Sequence, residues 1–417
     1  MKFRGGIFLF ILLGVNSNAF PMNDLIRKLP GQPDVNFRQF ARYIEVDENV
    51  DGRSLFYYFV EAEKDPMIQP LTIWLTGGPR CSSVGDAFGS VGPFIVTKDA
   101  HGLQRNSFSW NKVSNLLFID SPIGSGWSYS NSSSDYNNGD DSTNKILLTF
   151  MQKWYEKIHE TKYNQSKFNL KGLVLGNPTL HKKLDDIAKI DFFFSREMMN
   201  RSLYNEIKKE CNAIDENNYF ASIKTTWSAK CKNLVFEADL AAFKTDAHNY
   251  SPKKLFDVPI VSTEVDMCLP LRVQFYFNIS EVQKSFHRNR TNLSYRWQGC
   301  FTANFKYNEV DTDLDMLPAL KNLLQQFVPI TIFSGDQDGI IPTEGTLQHL
   351  KKLAEELNIK LTKEETWSFR TKEGGLKYEF GDLLKFLTVK GGNHHVTSFR
   401  PSQAFSIFSI FTINWMH

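Results

Sequence analysis

The sequence has no excess of either charge. Lys and Arg number 48 against 46 Asp and Glu, a formal net charge of +2 over 417 residues. That balance offers no basic face to nucleic acid and no acidic solvating tail. Glycine (25) and proline (16) are too scarce for a collagen-like or low-complexity chain. No repeat, heptad run or flexible linker occurs. Cysteine is limited to five residues with no Cys-x-x-Cys, which argues against a thiolate metal centre. Beyond the N-terminus no apolar run is long enough to span a bilayer. What is present is a globular composition, 41% hydrophobic and 23% charged, with 35 Phe available for an aromatic core.

The N-terminus carries Lys2 and Arg4, then the short apolar run Ile7 to Val15, then the small residue Ala19. This layout predicts a secretory signal over residues 1–19, too short to persist as a membrane span. Asn-x-Ser/Thr acceptors at Asn131, Asn164, Asn200, Asn249, Asn278, Asn289 and Asn292 agree with a glycoprotein route. In an oxidising compartment most of Cys81, Cys211, Cys231, Cys268 and Cys300 should pair, and the odd count leaves one over.

Tyr43–Val46 and Ser54–Ala62 read as two strands joined at Asp51-Gly52. Strand-length apolar runs follow at Leu71–Leu75, Asn115–Ile119, Leu173–Leu175, Ile330–Phe333 and Phe386–Val389. Leu147, Leu148, Met151, Trp154, Tyr155 and Ile158 recur at helical spacing behind Asp140, Asp141 and Ser142, and Leu317–Phe327 and Thr346–Leu357 are further helices. Buried strands alternating with helices predict an α/β fold with a mostly parallel sheet. The stretch 179–311 breaks that rhythm. It reads as an inserted, mostly helical cap between a first core part, 20–178, and a second, 312–417, with an independent domain as the alternative.

In such sheets chemistry lies beyond the carboxyl ends of strands. After Leu71–Leu75 comes WLTGGPRCSS, Trp74 to Ser83, whose paired glycines let backbone N–H groups approach an oxyanion. After Ile330–Phe333 stand Asp336 and Asp338, each able to orient a histidine or to cap the next helix. After Phe386–Val389 the glycine-rich loop Lys390 to Val396 carries His394 and His395. Asp before His near the C-terminus is the later part of the Ser…Asp…His order of α/β-hydrolases. The Gly-x-Ser-x-Gly elbow that order requires is absent; Gly124-Ser125-Gly126 and Gly89-Ser90-Val91-Gly92 lack its spacing.

These motifs, with LFYYFVEA (55–62), WNKVSNLLFIDSPIGSGWSYS (110–130), NLKGLVLGNP (169–178), NISEVQKSFH (278–287) and WQGC (297–300), resemble the serine carboxypeptidases from about Phe37 to the C-terminus. The resemblance implies an α/β-hydrolase-type sheet flanked by helices with a helical cap. It also implies a secreted or lysosomal protein that needs no cofactor and acts on peptide C-termini by acyl transfer to Ser. Residue by residue, it makes Asp338 the orienting acid, His394 the base, Gly78 an oxyanion donor and Trp74 a substrate-binding residue. It pairs Cys81 with Cys300 and Cys211 with Cys231, leaving Cys268 without its usual partner.

The departures gather at the chemistry. The strand, elbow and helix that bear the family's serine should lie between Ile158 and Asn169, where this chain has only a short polar stretch. Thr76, Arg80 and Ser90 replace the family's Asn, Gly and Glu, its GAGH reads Gly391-Gly392-Asn393-His394, and Thr397 stands for its Pro. With one central strand–helix unit deleted, either Leu173–Leu175 slides into its place or the sheet is defective, and the fold should be marginally stable. Losing the nucleophile costs a triad protease about 10⁶ in kcat, so the chain should be inactive as a carboxypeptidase. The alternative is a secreted glycoprotein that binds a peptide or protein partner through cap and mouth.

Overall fold

The computed structural model describes residues 7–10, 21–47, 52–78, 80–159, 169–211, 227–248, 266, 268–288, 295–300, 306–308 and 315–416. Strands are numbered along the chain: β1 Ile7–Phe10, β2 Gln39–Glu45, β3 Arg53–Val60, β4 Leu71–Trp74, β5 Phe94–Val96, β6 Leu103–Arg105, β7 Asn115–Ile119, β8 Tyr129–Ser130, β9 Asn137–Asn138, β10 Gly172–Gly176, β11 Lys306–Tyr307, β12 Ile330–Gly335, β13 Leu361–Phe369, β14 Lys372–Phe380 and β15 Leu384–Val389.

Two larger sheets form the centre. One runs β2-β3-β7-β4, with β8 also on β3; the other runs β1-β10-β12-β15-β14-β13. The inner pairs β4–β7, β10–β12 and β12–β15 are parallel, and the outer strands are antiparallel. β3 is buried along almost its whole length, as expected of an apolar and aromatic strand covered on both faces. Helix Asp140–His159 lays Phe150, Trp154 and Ile158 on one side of it, and Tyr57 meets Trp154 edge-on with 6.4 Å between centroids. Lys157, near the end of that helix, pairs with the buried Asp24.

The strand pattern leaves the outer neighbour of β10 open, and the structure supplies one from the N-terminus. Leu173–Leu175 stays in ladder with β12, Leu173 opposite Ile330. On its other side β1 pairs antiparallel with β10, Ile7 opposite Leu175 and Phe10 opposite Gly172, and β1 also lies alongside β4. Part of the expected signal segment therefore sits in the sheet. Among the described residues no hydrogen-bonded ladder joins the two sheets.

The 179–311 stretch is mostly helical where described, with helices Lys182–Ser195, Arg201–Glu210, Ala229–His248, Leu269–Phe277 and Ser280–Ser285. Its parts pack differently. Residues from Ile190 to Ala242 form a cluster of their own, closed by the disulfide Cys211–Cys231. Phe277, Phe286 and Trp297 instead join the main core, with Phe277 4.7 Å from Trp297 and 5.1 Å from Phe88 between ring centroids.

The hairpin β13–β14 is not anticipated by the strand pattern. β13 reads LTKEETWSF, mostly exposed, and Lys377 of β14 reaches Glu365 at 2.6 Å. A charged edge strand protects a sheet from further pairing and at the same time hides the alternation that announces a strand.

Candidate active site

The end of β12 and the loop after β15 are knitted together by backbone. Asp336 N–H donates to Val389 O at 3.2 Å, and Gln337 N–H to Gly392 O at 2.9 Å. Gly335 is required here, because a Cβ would stand 2.2 Å from the Gly392 carbonyl oxygen. Gly391, at φ +68°, donates its N–H to Asp336 Oδ1 at 2.7 Å. Burial raises the Asp336 carboxyl above its usual range, opposed by its bonds to Gln337 and Gly391.

Of the two acids, Asp338 faces the histidine. His394 Nδ1 lies 2.9 Å from Asp338 Oδ2. The Asp338 side chain is fully buried, and that of His394 is 27% exposed. The carboxylate is held from three further directions: Ile340 N–H and Ile341 N–H donate to Oδ1 at 2.8 and 3.0 Å, and Asn177 Nδ2 donates to Oδ2 at 2.5 Å. Neither Asp caps the next helix, whose N-cap is Pro342 with no side-chain bond. The His395 ring lies 5.4 Å from that of His394 between centroids, and the Asp338 carboxylate acts on it electrostatically.

A carboxylate only accepts, so Nδ1 carries the proton and Nε2 presents its lone pair outward. Among the described residues no hydroxyl lies within hydrogen-bond distance of the His394 ring. Asn177 was missed by sequence reasoning. It follows β10 within a motif read only for resemblance, and its place at a strand's carboxyl end, at φ +47°, was the available signal.

The β4 end is built differently from its reading. Trp74 is 1% exposed, stands edge-on to Trp110 and donates its indole N–H to Asp86 Oδ2 at 3.0 Å. Its ring packs beneath the loop from inside, and substrate binding at Trp74 stays what the family resemblance implies. Ser90 likewise points inward, its hydroxyl on Asp86 O at 3.3 Å. Ser82 caps helix Ser83–Gly89 through Gly85 N–H and donates to the buried Asp120 at 2.6 Å. Burial pushes the Asp120 and Asp86 carboxyls up to about 6. Gly78, at φ +136°, follows β4 of the five-stranded sheet, whereas Asp338 and His394 follow β12 and β15 of the other.

The disulfide Cys81–Cys300, with Cα atoms 3.9 Å apart, and Ser82 N–H on Gly299 O at 2.7 Å tie this loop to residues 297–300. Cys268 is free and exposed. Of the glycosylation acceptors, Asn131 and Asn200 are exposed. Asn278 is partly buried, and its amide nitrogen donates to Gln274 O and Trp297 O at 2.7 and 2.9 Å. Asn164, Asn249, Asn289 and Asn292 lie outside the described residues.

A profile of the serine carboxypeptidase family matches residues 30–165 and 156–414. This chain belongs to the serine carboxypeptidase family. It is 41% identical to serine carboxypeptidase-like 44 of Arabidopsis thaliana, over 95% of this chain and 91% of the relative. It is 40% identical to serine carboxypeptidase-like 41 of the same plant, over 99% and 96%. Those alignments run over 445 and 455 positions, more than the 417 residues here, so the relatives carry residues that this chain lacks. Among solved structures it is similar to KEX1(delta)p, a prohormone-processing carboxypeptidase from Saccharomyces cerevisiae. The TM-score is 0.68 at 19% identity, covering 97% of this chain and 96% of that one. That likeness establishes the α/β-hydrolase fold. Family and disulfides are consistent with the secretory pathway, and among the described residues no helix is long and apolar enough to cross a membrane.

Proposed function

We propose that this chain is a serine-carboxypeptidase-family glycoprotein of the secretory pathway that does not hydrolyse peptide bonds. One observation carries the reading. The base–acid pair His394–Asp338 is assembled and locked, yet among the described residues no hydroxyl stands at the free ring nitrogen. The absence of Gly-x-Ser-x-Gly anywhere in the sequence supports it. So does the position of the break: the two matched segments of the family profile meet at residues 156–165, where the elbow unit would stand. A histidine and its orienting acid supply proton transfer but no acyl acceptor for a peptide carbonyl.

The test is incubation of the purified protein with a blocked dipeptide at acid pH, alongside a fluorophosphonate probe. The expected result is no released amino acid and no labelled serine. Labelling of any serine would overturn the reading.

One feature favours a binding role beside this silence. A cavity of about 440 Å³ at the end of the inserted stretch is lined by Phe275, Ile279, Arg288, Tyr295 and Arg296. The Arg296 guanidinium beside aromatic surface suits a peptide carboxylate with an apolar terminal residue, while Arg288 is held in the wall by its bonds to Gln283 Oε1 and Tyr295 O. A peptide with a free carboxyl terminus should bind and its amidated counterpart should not. Equal binding of the two would remove this role. Sequencing the transcript across Ile158–Asn169 separates a true loss of the elbow from an incomplete isoform.

A further inference from the structure

His394 combines three properties that a surface histidine does not share. Its Nδ1 is bonded at 2.9 Å to a carboxylate that is itself held by Ile340, Ile341 and Asn177. Its Nε2 therefore has a fixed lone pair. Its side chain is 27% exposed, so the ring is not closed off from solvent. In a working triad this lone pair is occupied by a serine proton; here it faces outward.

We propose that His394 is itself a nucleophile, making the protein a slow esterase for activated aryl esters. The inference rests on the reading that no serine serves the pair. Nε2 attacks the ester carbonyl carbon, and the C–O bond to the aryl group breaks, releasing the phenolate. The acyl group is then carried on Nε2 as an acylimidazolium, whose Nδ1 proton stays on the bond to Asp338. Water attacks the acyl carbon, the C–N bond returns its electrons to Nε2, and the carboxylic acid leaves with its proton passing to solvent.

The leaving group sets the substrate class. A phenolate departs without protonation, but an amine or alkoxide does not, and the imidazole that would protonate it is consumed as nucleophile. The activity is therefore confined to aryl esters and similarly activated acyl donors, and peptides are untouched. Asp338 is a positioning residue: it keeps the ring in one tautomer and stabilises the cationic intermediate.

The experiment follows p-nitrophenyl acetate hydrolysis by the full chain and by His394→Gln, His395→Gln and Asp338→Asn, each with and without fluorophosphonate pretreatment. His394→Gln should lower the protein-dependent rate at least tenfold, and His395→Gln should leave it unchanged. Asp338→Asn should slow the reaction by lowering kcat while leaving KM little changed, because the ring is no longer held in one tautomer. Fluorophosphonate should have no effect. If His394→Gln keeps the wild-type rate, the nucleophile assignment falls and the silent-peptidase reading stands. If fluorophosphonate abolishes the rate, a serine is at work and both fall. A second measurement needs no variant: diethyl pyrocarbonate should modify His394 first among the nine histidines, and modification of other histidines first would overturn the assignment.

Discussion

Asp120 gives the sharpest test of how the β4 loop is held. Its side chain accepts Ser82 Oγ–H at 2.6 Å, Val84 N–H at 3.1 Å and Trp127 N–H at 3.1 Å, with no exposure to solvent. Burial outweighs those bonds, and the carboxyl rises from 3.8 to about 6, with nearby Asp86 pushing the same way. A raised folded-state value means that the native protein holds more protons than the unfolded chain between these pH values. The associated stability is fully present below 3.8 and is lost as pH rises through about 6. The full span corresponds to about 3 kcal/mol, of which about 2 kcal/mol falls between pH 4.5 and 7.5.

Asp120→Asn removes this titration. The substitution has a fixed cost of its own, since the amide NH₂ now faces the Trp127 N–H, so the slope with pH is diagnostic and the offset is not. His181, lowered by burial, destabilises the fold as pH falls below its ordinary 6.5, but it is common to both proteins and cancels. Urea unfolding of each, followed by tryptophan fluorescence, should show the wild type gaining about 2 kcal/mol on the variant from pH 7.5 to 4.5. A difference flat within about 0.5 kcal/mol across that range would refute the argument.

Three further outcomes follow from packing and cross-links. Replacing Cys81 and Cys300 together by Ala opens a loop of sequence separation 219, and denaturant unfolding should register a loss of about 2–5 kcal/mol. Trp110→Ala removes a ring stacked 4.0 Å from Phe408 of the C-terminal helix and edge-on to Trp74. It should cost about 3–5 kcal/mol, with faster amide exchange in residues 401–413 as the specific sign. Asp185→Ala orphans the buried His349 Nε2–H together with Leu180 N–H and His181 N–H. Chemical unfolding should show a loss of about 3 kcal/mol, and a loss under 1 kcal/mol would mean that these donors find other partners.

The strands that carry the site were legible because each is a short apolar run ended by turn residues. The run Asn115–Ile119 is found unchanged, and Ile330–Phe333 and Phe386–Val389 differ from β12 and β15 only at their ends. That Asp338 and His394 would stand side by side was legible, because both follow strand ends in the Asp…His order. Asn177 was not, since a carboxamide after a strand has many uses and only its bond to Asp338 shows which one it serves. The inward packing of Trp74 was not legible, because a motif records residue identity and not side-chain direction. The hairpin β13–β14 escaped because charges on an edge strand erase the period-two pattern.

The sequence by itself determined the α/β class and the family, and it contains no Gly-x-Ser-x-Gly. All of these reside in local runs and motifs of a dozen residues or fewer. Tertiary structure decided what pairs beside β10, how the inserted stretch divides between its own cluster and the main core, and which face each aromatic ring presents. The physical reason is range. Turn chemistry and apolar periodicity act between neighbours along the chain, whereas strand partners and ring orientations are chosen among residues hundreds of positions apart, by whatever satisfies buried backbone groups and fills space.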